Sequence, residues 1–330
     1  FAKKFGVGVT DFSIGFGKEL FGFNDKSGTR WKFCLIPLGG YVKFFGDRNV
    51  FSQAEQKELL DQYSSEDQKK LFVVKPIYQR SLVVAAGPFA NFLLAIVIFT
   101  FIYMFAGKDF TPAKIDEVLE NSPASSVGLQ KNDVIYSINN NKVKSIMDIS
   151  TYINTSLTEE INLSIIRNDN EIFFNVIPKT INDKDSLGND IKKKVLGVKL
   201  VPLYDKFNKE KLGLTKALYY AVKETWFVTT SSLDYILSLF QGKGDTSQLG
   251  GPIKIAKITG QVAQHGVIAF LSITAYISIS LGLINLFPIP MLDGGHLMFY
   301  AFEKVLGRPL TQKTQEGFFR IGLFLLFSLM

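Results

Sequence analysis

The chain has 330 residues, 47% of them hydrophobic and 30 of them Phe, too apolar a balance for a wholly soluble protein of this size. Its formal net charge of +7 comes from Lys and Arg scattered among acids, with no arginine-rich stripe carrying interleaved aromatics. That pattern sets nucleic acid aside as a partner and leaves anionic membrane lipid as the simpler one. The one cysteine, Cys34, excludes an internal disulfide and reads as a packed thiol in an apolar strand-like run.

The chain opens on Phe1-Ala2-Lys3-Lys4, without an initiator Met or a signal-peptide pattern, and it stops inside the apolar run Ile321–Met330. Both ends are expected to be cut. Residues 12–46 hold glycine-punctuated strands. Phe12–Gly17 is one. Arg30–Ile36 and Tyr41–Phe45 read as a hairpin turning at Pro37-Leu38-Gly39-Gly40. Its strands are apolar on both faces, which fits a hairpin dipping toward a membrane against other protein, or one buried in a core. Its free edge suits pairing with an extended peptide. A polar, helical stretch from Asp47 to Lys75 comes next.

Ser81–Gly107 carries no charge and reaches roughly 40 Å as a helix, enough to cross a bilayer with some tilt. Gly87-Pro88 and Asn91 are unusual for a plain anchor, since small residues allow close helix packing and Asn can bond across helices. Residues 108–205 read as a β-rich module. Strands are expected at Ile115–Leu119, Asp133–Ile138, Ile161–Ile166, Glu171–Ile177 and Leu196–Leu200. A helix is expected at Ile146–Ile153. The run Ser-Pro-Ala-x-x-x-Gly-Leu-x-x-x-Asp-x-Ile-x-x-Ile-Asn from Ser122 resembles a bacterial PDZ domain, which would bind peptide ends by strand addition or merely block access. Residues 212–240 are helical but carry Lys216, Lys223, Glu224 and Asp234, too many charges for a free span. An amphipathic helix at the interface fits them.

A second span, Gly266–Leu292, leads into residues 285–296, NLFPIPMLDGGH. Pro288 and Pro290 lack backbone N–H groups, so the helix breaks there. Broken backbone at membrane depth is tolerated where protein or a water-filled cavity surrounds it. Asp293 beside that break is therefore either a metal or ion site, or an acid at a helix end near the interface. A catalytic zinc takes three protein ligands, and the chain has two histidines, His265 and His296. His265 reads as a surface residue. His296 either shares a D-x-x-H helical face with Asp293 or packs locally. No complete site can be assembled from these residues.

A first span bearing GPFAN, a PDZ-like insert, the FSIGFG and IPLGGYVK elements and a span ending NLFPIPMLDGGH together resemble the site-2 protease family of intramembrane zinc metalloproteases. The resemblance is to the regulator-of-sigma-E protease branch and covers nearly the whole chain. The chain departs from the family in having room for one PDZ domain where some members have two. It also lacks the family's HExxH motif.

The resemblance implies a mixed fold: a polytopic α-helical membrane core, a membrane-associated β-hairpin region and one inserted β-rich PDZ domain. The expected boundaries are 1–80 for the hairpin region and polar helix, 81–107 for the first span and 108–205 for the PDZ domain. Amphipathic helices then take 206–265, the second span 266–292, a cytoplasmic loop or helix 293–320, and the start of a further span 321–330. The expected cofactor is Zn²⁺, with Asp293 as the third metal ligand. The other two ligands and the base would lie on an HExxH helix upstream of Phe1. The implied substrate-binding residues are Asn285, Pro288, Pro290, Gly39, Gly40 and Tyr41, although Asn285 also suits a helix-ending cap. The implied substrates are transmembrane proteins, an anti-sigma factor or remnant signal peptides among them. A non-catalytic PDZ adaptor descended from such an enzyme is the alternative. Lys and Arg in residues 1–80 and after Asp293 place both regions in the cytoplasm, with 108–265 on the far side of a bacterial inner membrane.

Overall fold

A computed structural model describes residues 1–46, 63–156, 158–184, 190–203, 209–241 and 251–329. The chain divides into two compact units, one of Phe1–Asn91 with Leu281–Leu329 and one of Phe92–Ser280. In chain order the first elements are strands β1 (Val9–Asn24) and β2 (Arg30–Phe44), then helices α1 (Ser65–Gln68) and α2 (Ile77–Phe105). The inserted segment holds β3 (Lys108–Asp109), β4 (Ala113–Val118), α3 (Pro123–Ser126), β5 (Val134–Ile138), β6 (Asn141–Lys142) and α4 (Ile146–Thr155). It continues through β7 (Ile161–Arg167), β8 (Asn170–Val176), β9 (Lys179–Lys184), β10 (Asp190–Val195), β11 (Val198–Pro202) and β12 (Lys209–Glu210). Helices α5 (Leu214–Phe240), α6 (Pro252–Ala263), α7 (Val267–Leu286), α8 (Asp293–Leu306) and α9 (Gln312–Leu329) close the chain.

In the first unit β1 and β2 pair antiparallel, and each folds over along its length. Asp11–Ile14 lies beside Arg30–Phe33 and also beside Gly40–Lys43, while Phe21–Asn24 pairs with Arg30–Phe33. The expected hairpin at Pro37–Gly40 is therefore not how these strands pair. Residues 30–33 and 40–43 flank Asp11–Ile14 instead of meeting each other. The bend is made by Gly15 and Gly17, at φ 90 and 83. Such angles are free to glycine and costly to other residues. The turn is made by Asp25, whose Oδ1 accepts from the N–H of Ser27 at 2.8 Å and of Thr29 at 3.0 Å. Lys3 pairs with that carboxylate and holds it well below the usual carboxylate range. Cys34 is buried against the Ser13 hydroxyl at 3.3 Å, as a packed thiol should be.

Of the expected polar helix from Asp47 to Lys75, residues 47–62 lie outside the described residues. The remainder forms α1 and a 3-10 turn at Phe72–Val74. Phe72, Val7 and Tyr300 form the buried centre of this unit, with Ile77, Val83, Val84 and Leu297 packed around them. Arg80 ties the start of α2 to α8. Its Nη2 donates to Glu303 Oε1 at 2.6 Å and its guanidinium lies 4.9 Å from the Tyr300 ring centroid. Breaking a buried pair of this kind costs about 3–5 kcal/mol.

Helices α2, 29 residues, and α7, 20 residues, are long and apolar enough to cross a membrane. Both depart from the expected bounds. Helix α2 starts before Ser81, and α7 stops at Leu286, before the prolines. The terminal apolar run belongs to a longer helix, α9, whose first half carries Lys313, Glu316 and Arg320.

In the second unit the main sheet of the β-module runs β11-β4-β5-β7-β8, with β6 on β5, while β9 with β10 and β3 with β12 pair as separate two-stranded sheets. Its core is Ile115, Ile135, Ile138, Ile149, Leu163 and Ile165 with their neighbours. The β7–β8 turn uses Asn168 and Asp169 at φ 50 and 61, the two left-handed positions a tight hairpin demands. Asp133, 1% exposed, is held by Arg167 through Nε at 2.7 Å and Nη2 at 2.7 Å. The expected strands are present, but the lysine-rich sequence of the β9–β10 hairpin gives no signal of its pairing. Elsewhere in this unit small residues let helices approach: Ala95 of α2, Ala217 and Ala221 of α5, and Ala275 of α7 share one buried cluster. Helix α5 is a single helix, and α6 begins at Pro252 behind Gly251, in keeping with the sequence.

Candidate metal and substrate site

Helix α7 ends at Leu286 and α8 begins at Asp293, so residues 287–292 form the break that the prolines require. The loop closes on itself. Ile289 N–H donates to Phe287 O at 2.7 Å and Leu292 N–H donates to Ile289 O at 3.0 Å. Met291 adopts φ 88, a conformation that side chains other than glycine rarely take.

Three glycines make this loop possible. A Cβ on Gly294 would lie 2.2 Å from Phe287 O and 2.3 Å from Leu286 O. A Cβ on Gly295 would lie 2.4 Å from Ile289 O, and one on Gly322 of α9 would lie 2.2 Å from Pro290 O. The loop is thus wedged between the first turn of α8 and the middle of α9 by close backbone approach at these glycines. Pro290 is buried in that wedge, whereas Pro288 is exposed. Asn285 is the penultimate residue of α7, half-buried, and its side chain has no hydrogen-bond partner among the described residues.

Asp293 is the first residue of α8 and is half-buried. A Cβ on Gly87 of α2 would come within 3.0 Å of Asp293 Oδ2, so the Gly87-Pro88 step leaves the space that this carboxylate fills. Pro88 also deprives the Val84 carbonyl of its helical partner at this point. Among the described residues no cation and no hydrogen-bond donor meets Asp293. Burial pushes its carboxyl above the ordinary range. His296, one turn on, packs against Phe299 and Phe319, and its Nδ1 is buried without a partner. Burial pulls that imidazole below its ordinary value. His265 is exposed, with Nδ1 3.1 Å from Gln261 O.

An unpaired, half-buried carboxylate suits a divalent cation, which would supply the missing counter-charge. It does not make a zinc site by itself. Among the described residues no group of three or more His, Cys, Asp or Glu could hold a metal.

Gly39, Gly40 and Tyr41 lie on β2, and Gly40 and Tyr41 are exposed there. The outer side of Gly40–Lys43 has no strand beside it among the described residues. Gly40 has a structural duty as well, since a Cβ there would lie 2.2 Å from Ser13 O. The geometry brings Asp293 and Gly87 together, and separately Pro290, Gly295 and Gly322. Gly87-Pro88 stands out in the sequence alone, but the wedge glycines and the Arg80–Glu303 tie do not. Only the Gly-Gly pair after Asp293 hints at close backbone approach.

A family model described as peptidase family M50 matches residues 1–329. A relative from Agrobacterium fabrum that carries a zinc metalloprotease name is 38% identical over 325 residues, covering 98% of this chain and 86% of that protein. Another from Rickettsia conorii, also so named, is 36% identical over 321 residues, 97% of this chain and 87% of that protein. Metalloprotease MmpA of Caulobacter vibrioides is 33% identical over 352 residues, 100% of this chain and 87% of that protein. Among solved structures, the PDZ domain of an SdrC-like protein from Listeria monocytogenes is 20% identical. It matches 28% of this chain and 90% of its own, with a TM-score of 0.22.

Proposed function

Since the chain belongs to peptidase family M50, and so to a zinc-dependent metalloendopeptidase, we propose that its substrates are transmembrane segments cut within the bilayer. The observation that carries this reading is Asp293: an uncompensated carboxylate where an apolar 20-residue helix breaks. In this reading Asp293 is one zinc ligand, and the family resemblance assigns the remaining two ligands and the general base to an HExxH helix preceding Ala2. Zinc, when bound, polarises a peptide carbonyl and lowers the pKa of a bound water. The residues of this chain position the substrate. Asn285 offers an unpartnered amide to an unwound backbone, and the exposed Pro288 keeps the loop mouth open. The outer edge of Gly40–Tyr41 pairs with the substrate as an extended strand, because a helical peptide hides its scissile amide.

The β-module has the parts of a peptide-capture domain. Strand β11 lies at the sheet edge and α4 packs against it. It selects substrates by strand addition at that edge, or blocks bulky ones by its size. The charge distribution puts residues 108–265 outside the cytoplasm of a bacterial inner membrane. A cysteine placed at Asn168 should accordingly be labelled by an impermeant reagent in intact spheroplasts, and one at Lys313 only after lysis. The reverse pattern would overturn this orientation.

The decisive experiment compares the full-length protein with residues 1–330 alone. The full-length protein should hold stoichiometric zinc and cleave a model transmembrane substrate, with activity lost to a chelator and restored by zinc. Residues 1–330 should hold little zinc and cut nothing. The second reading, a non-catalytic PDZ adaptor descended from such an enzyme, would be favoured by a degenerate HExxH upstream of Phe1. A full-length protein with neither zinc nor cleavage would establish it.

A further inference from the structure

Within the second unit, a cavity of about 500 Å³ lies between α5 and the turn and α4 start of the β-module. Its lining includes Lys108, Lys142, Lys144 and Lys223, with Tyr220 and Trp226 beside them. The acids in the lining are already engaged. Asp148 accepts from the Lys144 and Ser145 N–H groups at 2.9 and 3.1 Å. Asp109 accepts from Thr111 N–H at 2.9 Å, and Glu224 accepts from Lys108 Nζ at 3.0 Å. Lys142, Lys144 and Lys223 have no carboxylate partner among the described residues. Lys142 sits 5.1 Å from the Tyr136 ring and Lys144 5.1 Å from the Tyr220 ring. Lys223 is exposed. The lining therefore sets four lysines against three carboxylates, a formal excess of one positive charge, with the ammonium groups of Lys142, Lys144 and Lys223 outside any ion pair among the described residues.

Its second property is an apolar stripe. Leu214, Leu218, Val222 and Trp226 are exposed at intervals of four along α5, Trp226 by 70%. On the same helix Ala217 and Ala221 are buried against α2 and α7. From Leu214 to Trp226 the stripe runs about 18 Å, comparable with the ~15 Å of hydrocarbon in one leaflet. Lys108, in the cavity wall, comes within three residues of the end of α2, one of the two membrane-length helices. Lysines, Tyr and Trp beside a membrane-length helix are the residue types that sit at headgroup level.

We propose that this cavity holds the phosphate of an anionic phospholipid, whose acyl chain lies along the exposed stripe of α5. The inference rests on the membrane reading above. A peptide carboxylate would satisfy the lysines but leave the apolar stripe uncovered, so the lipid is the better fit.

The test uses the full-length protein in vesicles of phosphatidylcholine doped with acyl-brominated lipid, which quenches nearby tryptophan. The signal from Trp226 is the difference between the protein and Trp226→Phe. Brominated phosphatidylglycerol should reach half-quenching at a mole fraction at least about fivefold below brominated phosphatidylcholine. Lys223→Gln should reduce that preference, and adding Lys142→Gln and Lys144→Gln should abolish it, since each lysine near a lipid surface contributes up to about 1 kcal/mol. Quenching by phosphatidylcholine should persist in every variant, which shows that each is inserted. Equal quenching by the two lipids in the unsubstituted protein would overturn the headgroup site and leave the membrane reading standing. No quenching by either would remove the membrane reading itself. Inorganic phosphate, or a peptide with a free C-terminal carboxylate, that erases the preference where the peptide amide does not would transfer the site to that ligand and overturn the lipid assignment.

Discussion

Asp293→Ala in the full-length protein will lose zinc by more than about 100-fold in affinity and will not cleave a transmembrane substrate. Outer-shell partners of a metal are worth about 10–100-fold, and a ligand is worth more than its partners. Asp293→Asn should behave in nearly the same way, because a neutral amide is a poor ligand for Zn²⁺. Both variants should fold, since Asp293 has no hydrogen-bond or ion-pair partner among the described residues to strand. Asn285→Ala should differ in kind: zinc retained and turnover reduced, as expected of a residue that touches substrate and not metal. The measurements are zinc content and cleavage for each variant. Retention of both in Asp293→Ala would dismiss the carboxylate as a ligand. His296→Ala is the control. Loss of zinc there, with Asp293→Ala unaffected, would transfer the ligand role to the imidazole whose Nδ1 is buried without a partner.

Gly294→Ala should be as damaging, for a different reason. Its Cβ would sit 2.2 and 2.3 Å from two backbone carbonyl oxygens, and neither can rotate away. The end of α7 or the start of α8 must move, at a cost of about 1–3 kcal/mol for overpacking. Asp293 is the adjacent residue, so the displacement carries the carboxylate with it. The expected result is a lowered midpoint of thermal unfolding together with reduced zinc content. Gly317→Ala on α9 is the matched comparison. It has open space around it and an ordinary φ, so the same change should be neutral or stabilise by about 0.5–1 kcal/mol. Equal behaviour of the two variants would mean that the loop is not wedged between α8 and α9.

The parts of the fold legible in the sequence are those governed by local chemistry. Two membrane-length helices follow from uncharged length, and the break after Leu286 follows from Pro288 and Pro290. The β-module's turns follow from Asn168-Asp169 and from Asn139-Asn140, all with positive φ. The β1–β2 pairing is misleading in sequence because Pro37-Leu38-Gly39-Gly40 has the composition of a turn, whereas the chain bends at Gly15 and Gly17. Which segments pair is decided by non-local register, and no local signal announces that Asp11–Ile14 has neighbours on both sides. The site is legible in its carboxylate and not in its support. Asp293 stands out as an acid beside an apolar run. The contacts that fix it join residues as far apart as Gly87 and Asp293, or Pro290 and Gly322, and a glycine's spacing says nothing about which backbone will approach it.

Met291 gives the loop a mechanical character. At φ 88 it holds roughly 1–3 kcal/mol of backbone strain. The Leu292 N–H to Ile289 O bond closes the turn around it, and the close glycine approaches on either side clamp it. The segment is therefore a loaded spring rather than a passive linker. Loosening any one contact lets it recoil, and the recoil would be felt at all three. Damage at Gly295 or Gly322 should consequently propagate to the carboxylate as a unit, with double substitutions costing less than the sum of the single ones.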